Sequence, residues 1–175
     1  MGNGFTKKEL KEILAQHQLW LESHGEEGRR ADLTGANLTW ADLYGANLTG
    51  AILSRANLTW AGLIRAKLRR TDLTGANLTG AKLGGAHLVE ADLTGANLTE
   101  AILSRANLSR ANLSRAELNG AALFRANLTG AQLGPEIREC ATFAYARVSE
   151  DQLAWLCLHP RFGEWVSGLE IGVKQ

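Results

Sequence analysis

A chain of 175 residues with a formal net charge of +1 is long enough for one domain of ordinary size and has no overall electrostatic bias toward nucleic acid or an anionic membrane. Leu and Ala dominate its apolar residues, no stretch approaches the roughly 18 apolar residues that a membrane span needs, and the start "MGNGFTKKELKE" lacks the apolar run of a signal peptide. Cys140 and Cys157 do not make a disulfide framework, and reduced thiols in a cytoplasmic protein are expected.

The first element, within residues 1–30, reads as a capping helix. In "TKKELKEILAQHQLWLESHG", Thr6 and Glu9 have the spacing of a capping box. Leu10, Ile13, Leu14, His17 and Leu21 then fall on one helical face, and Gly25 offers a stop. Gly2 followed by Thr6 also fits a myristoylation pattern, but helix capping explains Thr6 more simply.

From Ala31 to Pro135 the frame A-x-L-x-x runs twenty-one times without a slip. Leu fills every centre from Leu33 to Leu133, and Ala stands two places earlier in every unit except the one led by Thr71. On an α-helix, a five-residue step turns about 500°, so the leucines would spiral around the whole surface. On a straight strand, leucines five apart would alternate faces. Within a unit, however, Ala and Leu are two apart and share a face. A short extended piece followed by a bend, always in the same sense, keeps both pointing at one axis, and stacking such bends gives a solenoid.

The quoted run "ADLTGANLTWADLYGANL" resembles the pentapeptide-repeat family, whose motif is A(D/N)LXX. The resemblance implies an all-β solenoid, a right-handed quadrilateral β-helix with twenty residues per coil, spanning residues 31–150 and degenerate after 135. Leu33, Leu58, Leu78, Leu98 and Leu118 are then core residues. Gly ends nine units and suits a corner with positive φ, while the turn at the other twelve is left open by the sequence. Stacked Asn37, Asn57, Asn77 and Asn97 are expected to form a ladder bonding coil to coil. Their N-L-T triplets follow from the repeat and are read as wall residues, not glycosylation sites.

After Pro135 one unit is lost, and "ATFAY" and "ARVSE" restore the frame in degenerate form. Ser149 and Gln152 make a second capping box, predicting a short helix that ends at Pro160 within a C-terminal segment 151–175. The tail is expected near Phe143 and Tyr145, as a cap or as a contact with another subunit.

Twenty-residue stacking also groups the surface. Trp40 and Trp60 fall on one corner, with Tyr44 and Ile64 on the adjoining side. This apolar patch is either covered by the N-terminal helix or a surface for self-association or a protein partner. Arg65, Arg105 and Arg125 share a second corner, Arg70 and Arg110 the next, and Arg115 continues the series. These are a solvated wall or a candidate anion-binding column. No spacing of His, Cys and carboxylates suits a metal, and no nucleotide or nucleophile motif is present. His87 reads as an outward wall residue. No cofactor, catalytic residue or membrane is expected.

A non-catalytic scaffold for protein–protein interaction is therefore the leading expectation. The resemblance implies a second reading, regulation of a type II topoisomerase such as gyrase by DNA mimicry. Residues 31–135 carry ten Lys and Arg against seven Asp and Glu, and Ile52 and Asn112 interrupt the column of Asp32, Asp72 and Asp92, which weighs against a negative mimic. Weak nucleic-acid or anion binding through the Arg columns comes third. "AILSRANL" occurs at 51 and again at 101, fifty residues apart, which sets the copies on different sides and points to duplicated units or a join of two related chains rather than to selection for one binding face.

Overall fold

Two hydrogen-bond rules, one local and one between coils, organise the computed structural model, which describes residues 5–134, 146–152 and 170–171. In the local rule, the amide of each Ala donates to the preceding Leu carbonyl, as Ala36 does to Leu33 at 3.0 Å. In the second rule, residues about twenty apart exchange bonds. Leu33 donates to the Ile52 carbonyl at 2.7 Å, and Ile52 donates back to Ala31 at 2.9 Å. Parallel bridges then run in columns, such as Asn37 to Asn57 to Asn77 to Asn97. Four units thus close one coil, and its four sides begin at Ala31, Ala36, Ala41 and Ala46. Most contacts are single bridges. Paired strands of two residues occur at β1 (Asn112–Leu113) with β2 (Gln132–Leu133) and at β3 (Arg147–Val148) with β4 (Glu170–Ile171).

The axis is packed with leucine. Leu58, Leu78 and Leu98 are fully buried, Leu33 and Leu118 nearly so, and the alanines beside them are closed in as well. Full burial of a Leu stabilises by about 1.5–3 kcal/mol. Thr71 takes an alanine position and is also fully buried. Its hydroxyl donates to the Leu48 carbonyl at 2.7 Å, which satisfies the polar atom the substitution brings inside.

All corners from 35 to 130 use one turn, whether or not they carry Gly. Their φ values lie between 54° and 70°, at Trp40, Arg55 and Glu90 as at Gly35. Positive φ at the third turn residue, with the Leu-to-Ala bond across it, defines a type II turn. A side chain in this region costs of order 1–3 kcal/mol, and the ladder bonds on both sides hold it there. The Asn ladder expected between coils is largely replaced by a local device. Asn37 Oδ1 accepts from the Thr39 amide at 3.2 Å and the Thr39 hydroxyl at 2.7 Å, and Asn57 and Asn77 do the same with Thr59 and Thr79. An amide two residues ahead is nearer than a neighbouring coil, so the side chain closes its own corner. One Asn pair does bond across coils, Asn127 to Asn107 at 3.3 Å. Asp32 serves the same local purpose, and the Thr34 hydroxyl and amide hold its carboxyl below the usual range.

Each end of the coil is closed by a borrowed side chain. At the first, α1 (Lys7–Glu22) starts on a complete capping box between Thr6 and Glu9 and lays Leu10, Ile13 and Leu14 against the core. It ends one residue earlier than Gly25 suggests. His24 takes the left-handed position (φ 56°), and Gly25 donates back to Trp20 at 2.8 Å. Ala31 has no preceding repeat to receive its amide, so it donates to His17 Nδ1 at 3.1 Å. His17 is fully buried and stacks on Trp20. Its Nε2 has no hydrogen-bond partner among the described residues.

Burial holds the His17 pKa below the ordinary histidine value, with Arg30 adding to the effect and the Thr49 backbone opposing it. Protonation would also set an N–H against the Ala31 amide. A depressed histidine pKa means that the unfolded chain binds the proton more readily. The contribution of His17 is thus complete above about pH 6.5 and is lost as pH falls from there through the lower folded value. Melting temperature should fall between pH 7.5 and 5.5 (roughly one unit either side of that value), and His17→Gln should flatten the dependence.

At the other end, residues 146–148 stack on 126–128, so "ARVSE" rejoins the frame, and β4 adds a further rung. "ATFAY", the tail before Glu170, Pro160 and both cysteines lie outside the described residues. In the coil, the Ala131 carbonyl would accept an amide twenty-one residues on, as Ala31 accepts from Ile52. Residue 152 is the one due there, but the chain has turned helical at 150–152. The Gln152 side chain takes over. Its Nε2 donates to the carbonyls of Ala131 at 2.7 Å and Leu128 at 2.9 Å, while its Oε1 accepts from Ser149.

Candidate interaction face

The four sides differ in what they turn outward. In each unit the residues before and after Leu flank it on the surface. Sides one and two present mainly Asp, Asn, Thr and Ser, and side four presents Asn, Lys67, Arg69 and His87 among others. Side three presents Asp42 and Tyr44, Gly62 and Ile64, Lys82 and Gly84, Ile102 and Ser104, then Ala122 and Phe124. Among the described residues, eight large apolar side chains are exposed. Six of them, Trp40, Tyr44, Trp60, Ile64, Ile102 and Phe124, lie on side three or at the corner that leads into it.

The sequence patch forms the upper part of this face. Trp40 and Trp60 stack with ring centroids 5.7 Å apart and planes 15° from parallel. Next in that corner column is Gly80, where any side-chain carbon would collide with the Trp60 ring, so the second indole rests on bare backbone. Tyr44 accepts a long bond from Arg65 Nη1 at 3.4 Å, and Ile64 follows below it. The N-terminal helix does not cover this group. Trp40 is 68% exposed and Tyr44 60%, because α1 packs on the open end of the coil and not along a wall. Ile102 and Phe124 extend the same face toward the other end. The sequence reading passed over them because a period of five makes every outward position look alike. Counting modulo twenty assigns them to a side.

The Arg columns divide into two cases. Arg70 and Arg110 share their corner with Glu90, which the sequence reading left out. Glu90 receives Arg70 Nε at 2.6 Å and lies 3.9 Å from both Arg69 and Arg110. Arg70 first, then the other guanidiniums, hold the Glu90 carboxyl below its usual range. A carboxylate of the protein itself therefore occupies the centre of this column, a poor arrangement for an external anion. Arg65, Arg105 and Arg125 line the corner beyond side three, with Gly85 between the first two, and Arg125 sits over the Phe124 ring at 5.2 Å. Arg115 stands with Arg55 on a different corner.

Among the described residues no His, Cys, Asp and Glu group is arranged to hold a metal ion, and no helix is long and apolar enough to cross a membrane.

The model for pentapeptide repeats matches eight copies, over residues 28–50, 51–88 and 91–130. Nothing among the curated proteins matches the chain. Among solved structures, it is similar to the pentapeptide repeat protein Rfr23 from the cyanobacterium Cyanothece 51142, at 32% identity over 61% of this chain and 86% of that one, with a TM-score of 0.59. It is also similar in fold to QnrB1, a plasmid-mediated fluoroquinolone resistance protein, at 18% identity over 81% of this chain and 80% of that one, with a TM-score of 0.57.

Proposed function

The chain belongs to the pentapeptide-repeat family, and on that premise we propose that it is a non-catalytic scaffold whose side three is a protein-binding face. The winding is taken as right-handed, as the family resemblance implies. One observation carries the functional reading: the exposed large apolar side chains of the coil are gathered on one of four sides, in two groups with Lys82 and Gly84 between them. Contiguous exposed apolar surface marks contact sites, and aromatic residues supply most of the energy in such sites. A rigid wall also loses little conformational freedom on binding.

Duplex mimicry is less well supported. Bridges run from Asp32 through Ile52 to Asp72 and Asp92, then to Asn112, so the acidic column is broken at both of the positions that should extend it.

The test is a photo-reactive residue placed at Ile64 and, separately, at Thr74 on side one, with cross-linking in the native cell. Discrete adducts are expected from position 64 and background from position 74. Equal yields from the two positions would overturn the assignment of side three.

A further inference from the structure

We propose that side three pairs with the same side of a second copy of this chain, the two coils running parallel about a two-fold axis that lies between them. The inference rests on the reading of side three as a contact face and adds the identity of the partner. Two corners bound this face. One column carries Trp40, Trp60, Gly80, Glu100 and Gly120, and the other carries Gly45, Arg65, Gly85, Arg105 and Arg125. The residue before each Leu lies nearer the first column, and the residue after it lies nearer the second. A two-fold along the coil exchanges the columns without changing the level. The residue before Leu in one copy therefore meets the residue after Leu in the other.

That exchange matches small residues to large ones down the face. Gly62 meets Ile64, Lys82 meets Gly84, Ile102 meets Ser104, and Ala122 meets Phe124. In the first coil Asp42 meets Tyr44, whose hydroxyl accepts from Arg65 and keeps its own hydrogen for a carboxylate. The edges match as well. Arg105 comes level with Glu100, and neither makes an ion pair among the described residues. The antiparallel arrangement, centred on Lys82, still sets Gly62 against Ile102 and Ile64 against Ser104 but fails elsewhere. It sets Arg65 against Arg105, Lys82 against Lys82 and Tyr44 against Phe124, so like charges and large side chains collide.

Five coils at about 4.8 Å make a face roughly 24 Å long and about 10 Å wide. Such a footprint, about 240 Å² on each copy, falls below that of stable specific interfaces and belongs with weak, transient ones, so a dissociation constant of order tens of micromolar or weaker is expected. Sedimentation velocity on the full chain in reducing buffer, from about 1 to 200 µM, reads the equilibrium. A dimer fraction rising with concentration is expected. Arg105→Glu and Glu100→Arg should each raise the dissociation constant about five- to tenfold, and the double exchange should restore it. Both residues sit at corners where this chain already carries Arg and Glu at the same φ, so folding is unaffected, and circular dichroism checks it. A monomer at every concentration would overturn the pairing, as would a dimer indifferent to the exchanges or one that the double exchange weakens further. A monomer whose position 64 still cross-links to a different protein would overturn only the self-pairing and leave the contact face standing.

Discussion

Leu78→Ala is expected to destabilise the protein by about 2–5 kcal/mol, with a fall in melting temperature of roughly 2–4 °C for each kcal/mol. Leu78 is fully buried on the axis. The cavity left by truncation cannot collapse easily, because the wall around it is fixed by inter-coil bonds such as Leu78 to Asn97 at 2.7 Å and Asn77 to Ala56 at 2.9 Å. A solenoid is stabilised by contacts between neighbouring coils, so a void mid-coil weakens both the coil before and the coil after. Thr79→Ser, one residue along on the outside, keeps the hydroxyl that closes the corner and should change stability by less than about 0.5 kcal/mol. Thermal denaturation followed by circular dichroism compares the two. Equal melting points would remove Leu78 from the core.

Gln152→Met should cost about 1–3 kcal/mol, the loss expected when the buried Ala131 carbonyl loses its donor, while the Leu128 carbonyl keeps the Ala131 amide at 2.9 Å. Methionine keeps the length and volume of the side chain, so the effect reports the hydrogen bonds of Gln152 together, those it donates to Leu128 and Ala131 and those it accepts from Ser149. Gln152 is only 6% exposed, and water cannot readily replace it. Urea denaturation gives the total. Hydrogen exchange places the loss, which should concentrate in the last rungs, at Gln132 and Arg147, and spare Leu58. Uniform loss of protection along the coil would mean that Gln152 acts on global stability and not on the terminal edge.

The legibility of this chain is uneven for a physical reason. A five-residue period in Ala and Leu states the inward pattern directly, because only side chains that face the axis are constrained to be so uniform. Residues facing water are constrained little by the coil, and their arrangement follows only once the number of sides is known. Trp40 and Trp60 are conspicuous enough to be grouped by eye, whereas Ile102 and Phe124 are not. Glu90 is inconspicuous between Arg70 and Arg110 for a related reason: only the twenty-residue alignment brings the three into one column, and that column carries both signs of charge. The corner geometry at Arg and Glu was illegible because intrinsic preference argues against positive φ there. Hydrogen bonds across and beside each turn override that preference. The roles of His17 and Gln152 at the ends were hidden too. A histidine in a helical stripe and a glutamine in a capping box look ordinary until a rung of the ladder is found to be missing its partner.

The alignment of outward residues with a twenty-residue coil gives insertions a phase. Adding twenty residues within the repeat would lengthen the wall and leave every column below it where it was. Adding five would preserve the core equally well, yet rotate everything beyond the insertion by a quarter turn, carrying Ile102 and Phe124 away from Trp60 and Ile64. The two copies of "AILSRANL" already show this arithmetic. They are fifty residues apart, two and a half circuits, so Ile52 faces one way and Ile102 the opposite. Stability alone would accept growth in steps of five, whereas the gathering of apolar residues on one side can be inherited only in steps of twenty.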